Sequence, residues 1–205
     1  MLSPEDFDAF LNAPVGGAHE FEVDLTCLVT TNYRLTMEGI NRAEEEEIAA
    51  IDDSLKDEVD REIVSSIRGD YLTFYDDLRS AARCLAVVAL VTRFHHWIIV
   101  YSRRIDSKRK EERLEKNMRF LNKTLGKPQV DVDFFMKLAE VRHSVIHADS
   151  RHQWTDQHDL TRQVDARYSP KGYRVEVSDA DIAEATAKAI RQIKWYDERL
   201  RAIQR

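Results

Sequence analysis

From Tyr71 to Ile105 the chain reads "YLTFYDDLRSAARCLAVVALVTRFHHWIIVYSRRI", with neither glycine nor proline to interrupt it. Strands rarely exceed about 10 residues, so a run of this length predicts one long helix, about 50 Å from end to end. Phe74, Leu78, Leu85, Val88 and Val91 mark an apolar stripe on it. The segment is apolar on other sides as well, which predicts a place in the middle of a helical bundle. The 205 residues contain six glycines and four prolines, so long unbroken elements are expected elsewhere too.

The flanking segments fit the same class. Ser3 and Pro4 carry N-cap and first-turn preferences and predict a short helix ending before "APVGGAH". The next stretch, "FEVDLTCLVTTNYRLTMEGI", is rich in β-branched residues, yet Leu25, Leu28, Val29 and Leu35 have near-helical spacing, and we read it as helix. In "NRAEEEEIAAIDDSLKDEVDREIVSSIRGD" the positions Ile48, Ile51, Leu55, Val59 and Ile63 predict an amphipathic helix with an acidic, solvated face, ended by Gly69. A basic helix follows, with Leu114, Met118, Leu121 and Leu125 as a narrow stripe and Gly126 and Pro128 as the stop.

Asp133 is placed to cap "FFMKLAEVRHSVIH". Alternation in "QVDARY" and "YRVEV" around "SPKG" predicts a small β-hairpin within 151–177. Ser178, with Asp181 three residues on, opens a last helix whose buried face runs through Ile182, Ala185, Ala189, Ile193, Tyr196, Leu200 and Ile203. The expectation is an all-α antiparallel bundle with one hairpin between its last two helices. Residues 1–70 form a helical extension packed on a bundle of residues 71–205, or the whole chain is one domain.

Composition narrows the function classes. Cys27 and Cys84 are the only cysteines and no apolar leader opens the chain, which argues against an exported disulfide scaffold. The most apolar stretch, Cys84 to Val91, is short for a bilayer and is bounded by Arg83, Arg93, His95 and His96. A soluble, cytoplasmic protein without a membrane partner is expected. Net charge is −6, but residues 1–100 hold 8 basic and 20 acidic side chains, and residues 101–127 alone hold 10 basic and 4 acidic. That basic segment can accept a polyanion; as "SKRKEER" it also reads as an ordinary solvated surface.

Candidate chemistry concentrates in "VRHSVIHADS", residues 141–150. Arg142 and His147 are five residues apart, about 140° around a helix, a gap a long arginine spans. His143 and His147 share a face. Leu138, Val141, Val145 and Ile146 supply apolar support. Two imidazoles and a guanidinium suit phosphodiester cleavage in RNA: 2′-hydroxyl attack needs a base and an acid near neutral pKa, and positive charge on the pentacoordinate phosphorus. No metal and no cofactor is required. His143, His147, His152 and His158 fall close enough in sequence to consider zinc, but no glutamate follows His143 and no cysteine is near.

The order Arg142, four residues, His147, then "ADSR", resembles the R-x-x-x-x-H signature of the HEPN superfamily (higher eukaryotes and prokaryotes nucleotide-binding domains). Many bacterial members have asparagine after the arginine, where this chain has His143. The layout of residues 71–205 is similar as well. The resemblance implies a homodimer whose paired motifs build a metal-independent RNA-cleaving site, in a toxin or antiphage effector with an antitoxin or regulatory protein as a possible partner. It implies that Arg142 contacts the scissile phosphate and His147 acts as base or acid, while His143, in the usual place of asparagine, is a catalytic candidate that either orients the substrate or joins the acid-base work; Asp149, Ser150, Arg151 and Trp154 are the candidates for substrate binding.

One departure is visible. The acid that many members carry on the preceding core helix is replaced here by "LVTRFHHW", and Asp76 and Asp77 lie turns away. His95 and His96 read as partly buried, hydrogen-bonded histidines, one of which could face the site. Trp97 and Trp195 read as packing residues. Structural readings compete throughout: Arg142 paired with Glu140 or another acid, and His147 favoured by the carbonyl end of its helix. A noncatalytic module binding nucleotide, RNA or protein is the alternative function, and a purely structural bundle the third.

Overall fold

The computed structural model describes residues 17–54, 61–128, 130–147 and 177–203. Its elements are α1 (Ala18–Leu25), a π-helical segment (Thr26–Thr31), α2 (Asn32–Ser54), α3 (Arg61–Ile105), α4 (Leu114–Leu125), α5 (Val130–His147) and α6 (Asp179–Ile203). No strand occurs among the described residues, and the expected hairpin lies in a segment outside them, as does the helix expected at Ser3. The segment read as helix despite its β-branched residues is α1, the π-helical turns and the start of α2. Its crowding is accommodated by the wider π turns, which keep Phe21, Leu25 and Val29 buried while Cys27 faces out.

Every other helix packs on α3. The core forms around its C-terminal half, where Val87, Leu90, Phe94, Ile98 and Tyr101 are nearly inaccessible. Phe94 stacks on Phe135 of α5 with ring centroids 4.0 Å apart, Phe21 of α1 meets Trp97 edge-on at 5.6 Å, and Tyr101 lies 6.3 Å from Tyr196 of α6. Each such aromatic, fully buried, contributes roughly 1.5–3 kcal/mol. A window of α3 is long and apolar enough to cross a membrane, but 56% of it is buried inside the protein, the situation of a core helix.

Two expected helix boundaries move. Gly69 lies within α3, which begins at Arg61; a single glycine costs a helix only about 1 kcal/mol, and Thr73 Oγ1 donates to its carbonyl at 2.9 Å. Asp133 sits inside α5, which starts at Val130, so it is not the cap. Other signals hold. Gly126 terminates α4 at φ 75°, and Lys127 N–H donates to the Asn122 carbonyl at 2.8 Å. At α6, Ser178 N–H and Oγ donate to Asp181 Oδ2 at 2.8 and 2.6 Å, while Asp181 N–H donates back to Ser178 Oγ at 3.1 Å. Ile203, expected on the buried face, is exposed.

The stripe Phe74 to Val91 is also corrected. Phe74 and Leu85 are 55% and 62% exposed, and no residue of α3 before Ala86 belongs to the core cluster. The N-terminal part of α3 instead forms an arm with α2. Arg68 meets Asp52, Arg79 meets Asn41, Asp76 and Glu44, and Arg83 meets Asp179 beside Tyr33, a descending series that makes the pair antiparallel. Glu44 is therefore held by Arg79 rather than solvated with its acidic neighbours. At the root of the arm, Asp179 Oδ1 accepts from Tyr33 at 2.6 Å and Arg83 at 2.7 Å. Burial first, then this bond, pushes the Tyr33 hydroxyl up to about 12, and the same two donors depress the Asp179 carboxyl.

Gly17 precedes α1 at φ 81°, and a Cβ there would lie 2.7 Å from Arg201 Nη2 and 3.2 Å from Asp197 Oδ2. Asp197 is buried, paired with Arg201 at 2.8 Å and accepting from Tyr101 at 3.2 Å. Its carboxylate sits by the start of α1, where the helix dipole favours negative charge. Gly17→Ala should destabilise the fold by about 2 kcal/mol, combining left-handed strain with displacement of Arg201, read as a lower urea midpoint with unchanged m-value.

Candidate functional site around Arg142

α5 presents Val132, Phe135, Val141 and Ser144 inward, and this fixes the rotation of the helix. Arg142 follows Val141 and is half-buried between the core and the surface. Its Nε is sealed from solvent and makes no hydrogen bond, and among the described residues no carboxylate pairs with its guanidinium. The expected pairing with Glu140 is thus not found. A buried N–H without a partner costs roughly 1–3 kcal/mol.

Arg142 lies close enough to His95 of α3 for its charge to act on the imidazole. His95 is half-buried, and its Nε2 is 2.6 Å from the carbonyl of Glu112. A carbonyl only accepts, so Nε2 carries the proton and Nδ1 is the basic nitrogen of the neutral ring. Burial chiefly, opposed by the Glu112 bond and helped by the Arg142 charge, moves its pKa down. His96, half-buried next to Arg93, which pairs with Asp24 at 3.4 Å, also titrates below the usual range, mainly through burial.

The Glu112 carbonyl belongs to the basic connector 106–113, between α3 and α4, which His95 thereby ties to the core. Its shape is well supported. Asp106 accepts from Lys108 N–H at 3.1 Å; Arg109 donates to Asn117 at 2.7 Å and lies 4.1 Å over the Phe120 ring; Asn117 returns a bond to the Glu111 carbonyl at 2.8 Å. Arg113 holds Glu111 at 2.9 Å and drives its carboxyl down to about 2. Lys108 and Lys110 are exposed.

Of the site candidates singled out between residues 142 and 154, Arg142 and His143 are those whose side chains are described. His143 is exposed, about 100° further around α5. His147 is the last residue of α5; its side chain, and Asp149, Ser150, Arg151 and Trp154, lie outside the described residues. Among the four histidines considered for zinc only the side chain of His143 is described, and no cluster of three metal-ligating groups occurs among the described residues. Trp97 is buried core, and Trp195 packs under Lys127, 5.1 Å from its ring, and Arg199 at 5.5 Å. Of His95 and His96, His95 is the one on which the Arg142 charge acts.

No protein-family model matches the chain, and no curated protein or solved structure is significantly similar to it.

His95 and His96 both hold protons less tightly folded than unfolded, so the unfolded chain binds more protons on acidification. Their contribution is fully present above the unfolded histidine pKa near 6.5 and is lost as pH falls through the lower folded values. Unfolding free energy should therefore drop as pH falls below about 6.5, and the slope should flatten in a His95→Gln, His96→Gln variant followed by urea titration at each pH.

Proposed function

We propose that this chain is a metal-independent endoribonuclease of the HEPN type, working in the cytoplasm as a homodimer whose composite site receives Arg142 and His147 from both copies. What carries the reading is Arg142: a guanidinium with a sealed, unpartnered Nε and, among the described residues, no acid pairing with it, beside a histidine whose pKa is lowered chiefly by burial. The exposed lysines of the connector, Lys108 and Lys110, give an RNA backbone a positive approach to it.

In this mechanism Arg142 braces a non-bridging phosphate oxygen, and its fork meets the charge that grows on the pentacoordinate phosphorus. A neutral imidazole takes the 2′-hydroxyl proton as that oxygen bonds to phosphorus. The 5′-oxygen leaves with a proton from a second, protonated imidazole, yielding a 2′,3′-cyclic phosphate and a 5′-hydroxyl. His147, at the carbonyl end of α5, suits the protonated role; His143, Asp149, Ser150, Arg151 and Trp154 would contact the strand. A toxin or antiphage effector restrained by a protein partner fits such an activity.

A noncatalytic nucleotide- or RNA-binding module is favoured by a different observation: no carboxylate among the described residues orients Arg142, and His143 points outward. Purified wild type, Arg142→Ala and Arg142→Lys incubated with total RNA in chelator separate the two. Ribonuclease action predicts cleavage by wild type into cyclic-phosphate ends, at least 100-fold less by Arg142→Ala with unchanged circular dichroism, and partial loss in Arg142→Lys. RNA retention without cleavage by wild type selects the binding module.

A further inference from the structure

We propose that the α2–α3 arm is a self-association surface: a second copy of this chain docks antiparallel on the exposed apolar seam of α3, about a two-fold axis at position 76. This does not rest on the ribonuclease reading. The seam follows a three- and four-residue alternation, with Val64, Tyr71, Leu78 and Leu85 at one heptad position and Ile67, Phe74, Ala81 and Val88 at the other. None of the eight is buried, and Phe74 and Leu85 are more than half exposed.

On a helical projection the seam lies roughly opposite the face that Val87, Phe94, Ile98 and Tyr101 bury in the core. It also differs from the face of Tyr75, Arg68 and Arg79 that meets α2. It is a second apolar face of the same helix. Ile63 borders it, whereas exposed Leu72 falls on another side.

The occupant follows from the spacing. In an antiparallel pair the two heptad positions face each other, so residues equidistant from position 76 meet. Phe74 then covers Leu78, Tyr71 covers Ala81, Ile67 covers Leu85 and Val64 covers Val88, each layer made twice. All layers are apolar, and the bulkiest side chain, Tyr71, falls opposite the smallest, Ala81. A parallel in-register pair would set Tyr71 on Tyr71 and leave Ala81 on Ala81 as a gap. The seam is about 36 Å long and the hairpin about 20 Å wide, so coverage approaches the roughly 800 Å² per partner of a stable interface. Asp77 would stand near its own twin, an exposed like-charge pair with a cost of only tenths of a kcal/mol.

In this dimer the two copies of His95, and the Arg142 beside each, stand about 57 Å apart along the paired helices. The arm contact is therefore separate from the pairing a composite site needs. A chain that uses both builds assemblies larger than a dimer.

Mass measurement by light scattering and sedimentation at about 10 µM tests the surface. Phe74→Glu combined with Leu85→Glu should halve the mass relative to wild type, weaken association at least 100-fold and leave the helical circular dichroism at low temperature unchanged. Leu72→Glu, exposed but off the seam, should keep the wild-type mass. Equal masses for wild type and the double variant, or dissociation by Leu72→Glu, overturn the proposal; a monomeric wild type does so too. Direction is read with a short bismaleimide in a Cys27→Ser, Cys84→Ala background. Asp77→Cys should cross-link to itself and Asp70→Cys should not; cross-linking by both overturns the antiparallel arrangement.

Discussion

Burial of the aromatic half of α3 is the constraint on which the rest depends. Phe94 and Trp97 together draw in α5 through Phe135 and α1 through Phe21, and Tyr101 draws in α6 through Tyr196. Because those rings occupy one sector of a straight helix, three partner helices are fixed in rotation by a single element. The rotation of α5 then dictates where Arg142 points: with Phe135 and Val141 committed to the core, the following residue stands at its margin, facing α3. The polar contacts act after this, closing the ends of helices at Ser178 and Gly126 and anchoring Asp197 against Gly17.

The same helix leads two lives. Beyond its aromatic half, α3 leaves the core cluster and runs beside α2, joined to it by the buried Tyr75 and by Arg68 and Arg79, which reach oxygen acceptors on α2, while Arg83 reaches Asp179 of α6 at the root. Exposed ion pairs contribute little each, and a two-helix arm has no enclosed core. The apolar seam left uncovered is the largest reserve of unburied stabilisation along α3. The arm also collects the acidic run of α2, while the connector and α4 carry the basic charge, so the charge asymmetry between the two halves of the sequence becomes a spatial one.

Much of the helical class was legible because its signals are local. Gly126 after a narrow stripe, the Ser178–Asp181 pair and the periodic positions from Ile182 to Leu200 each describe a structure completed within a few residues. What periodicity cannot encode is which of two faces a neighbour covers. Phe74, Leu78 and Leu85 form as regular a stripe as Phe94, Ile98 and Tyr101, and only the positions of α1, α5 and α6 decide that the second is core and the first is not. Gly69 misled for a related reason: its cost is small against the helical preference of the residues around it. The site was legible as a motif but not as an arrangement. Arg142 stood out by its setting in an apolar helix, whereas the nearness of His95, 47 positions earlier, is a product of how α3 and α5 pack.

That nearness has an energetic meaning. Among the described residues no acid offsets the Arg142 charge, and that positive field adds to the burial that chiefly lowers the His95 pKa. An ion pair would have removed it: an aspartate at the place of His95 would orient Arg142 but also neutralise it, weakening its hold on any incoming anion. With His95 there, no acid among the described residues offsets the guanidinium, and something negative from outside would. On the ribonuclease reading that something is the scissile phosphate, and its arrival removes part of the cause that lowers the His95 pKa. Substrate binding and protonation of the neighbouring imidazole are thereby linked: each favours the other, because both respond to the same guanidinium.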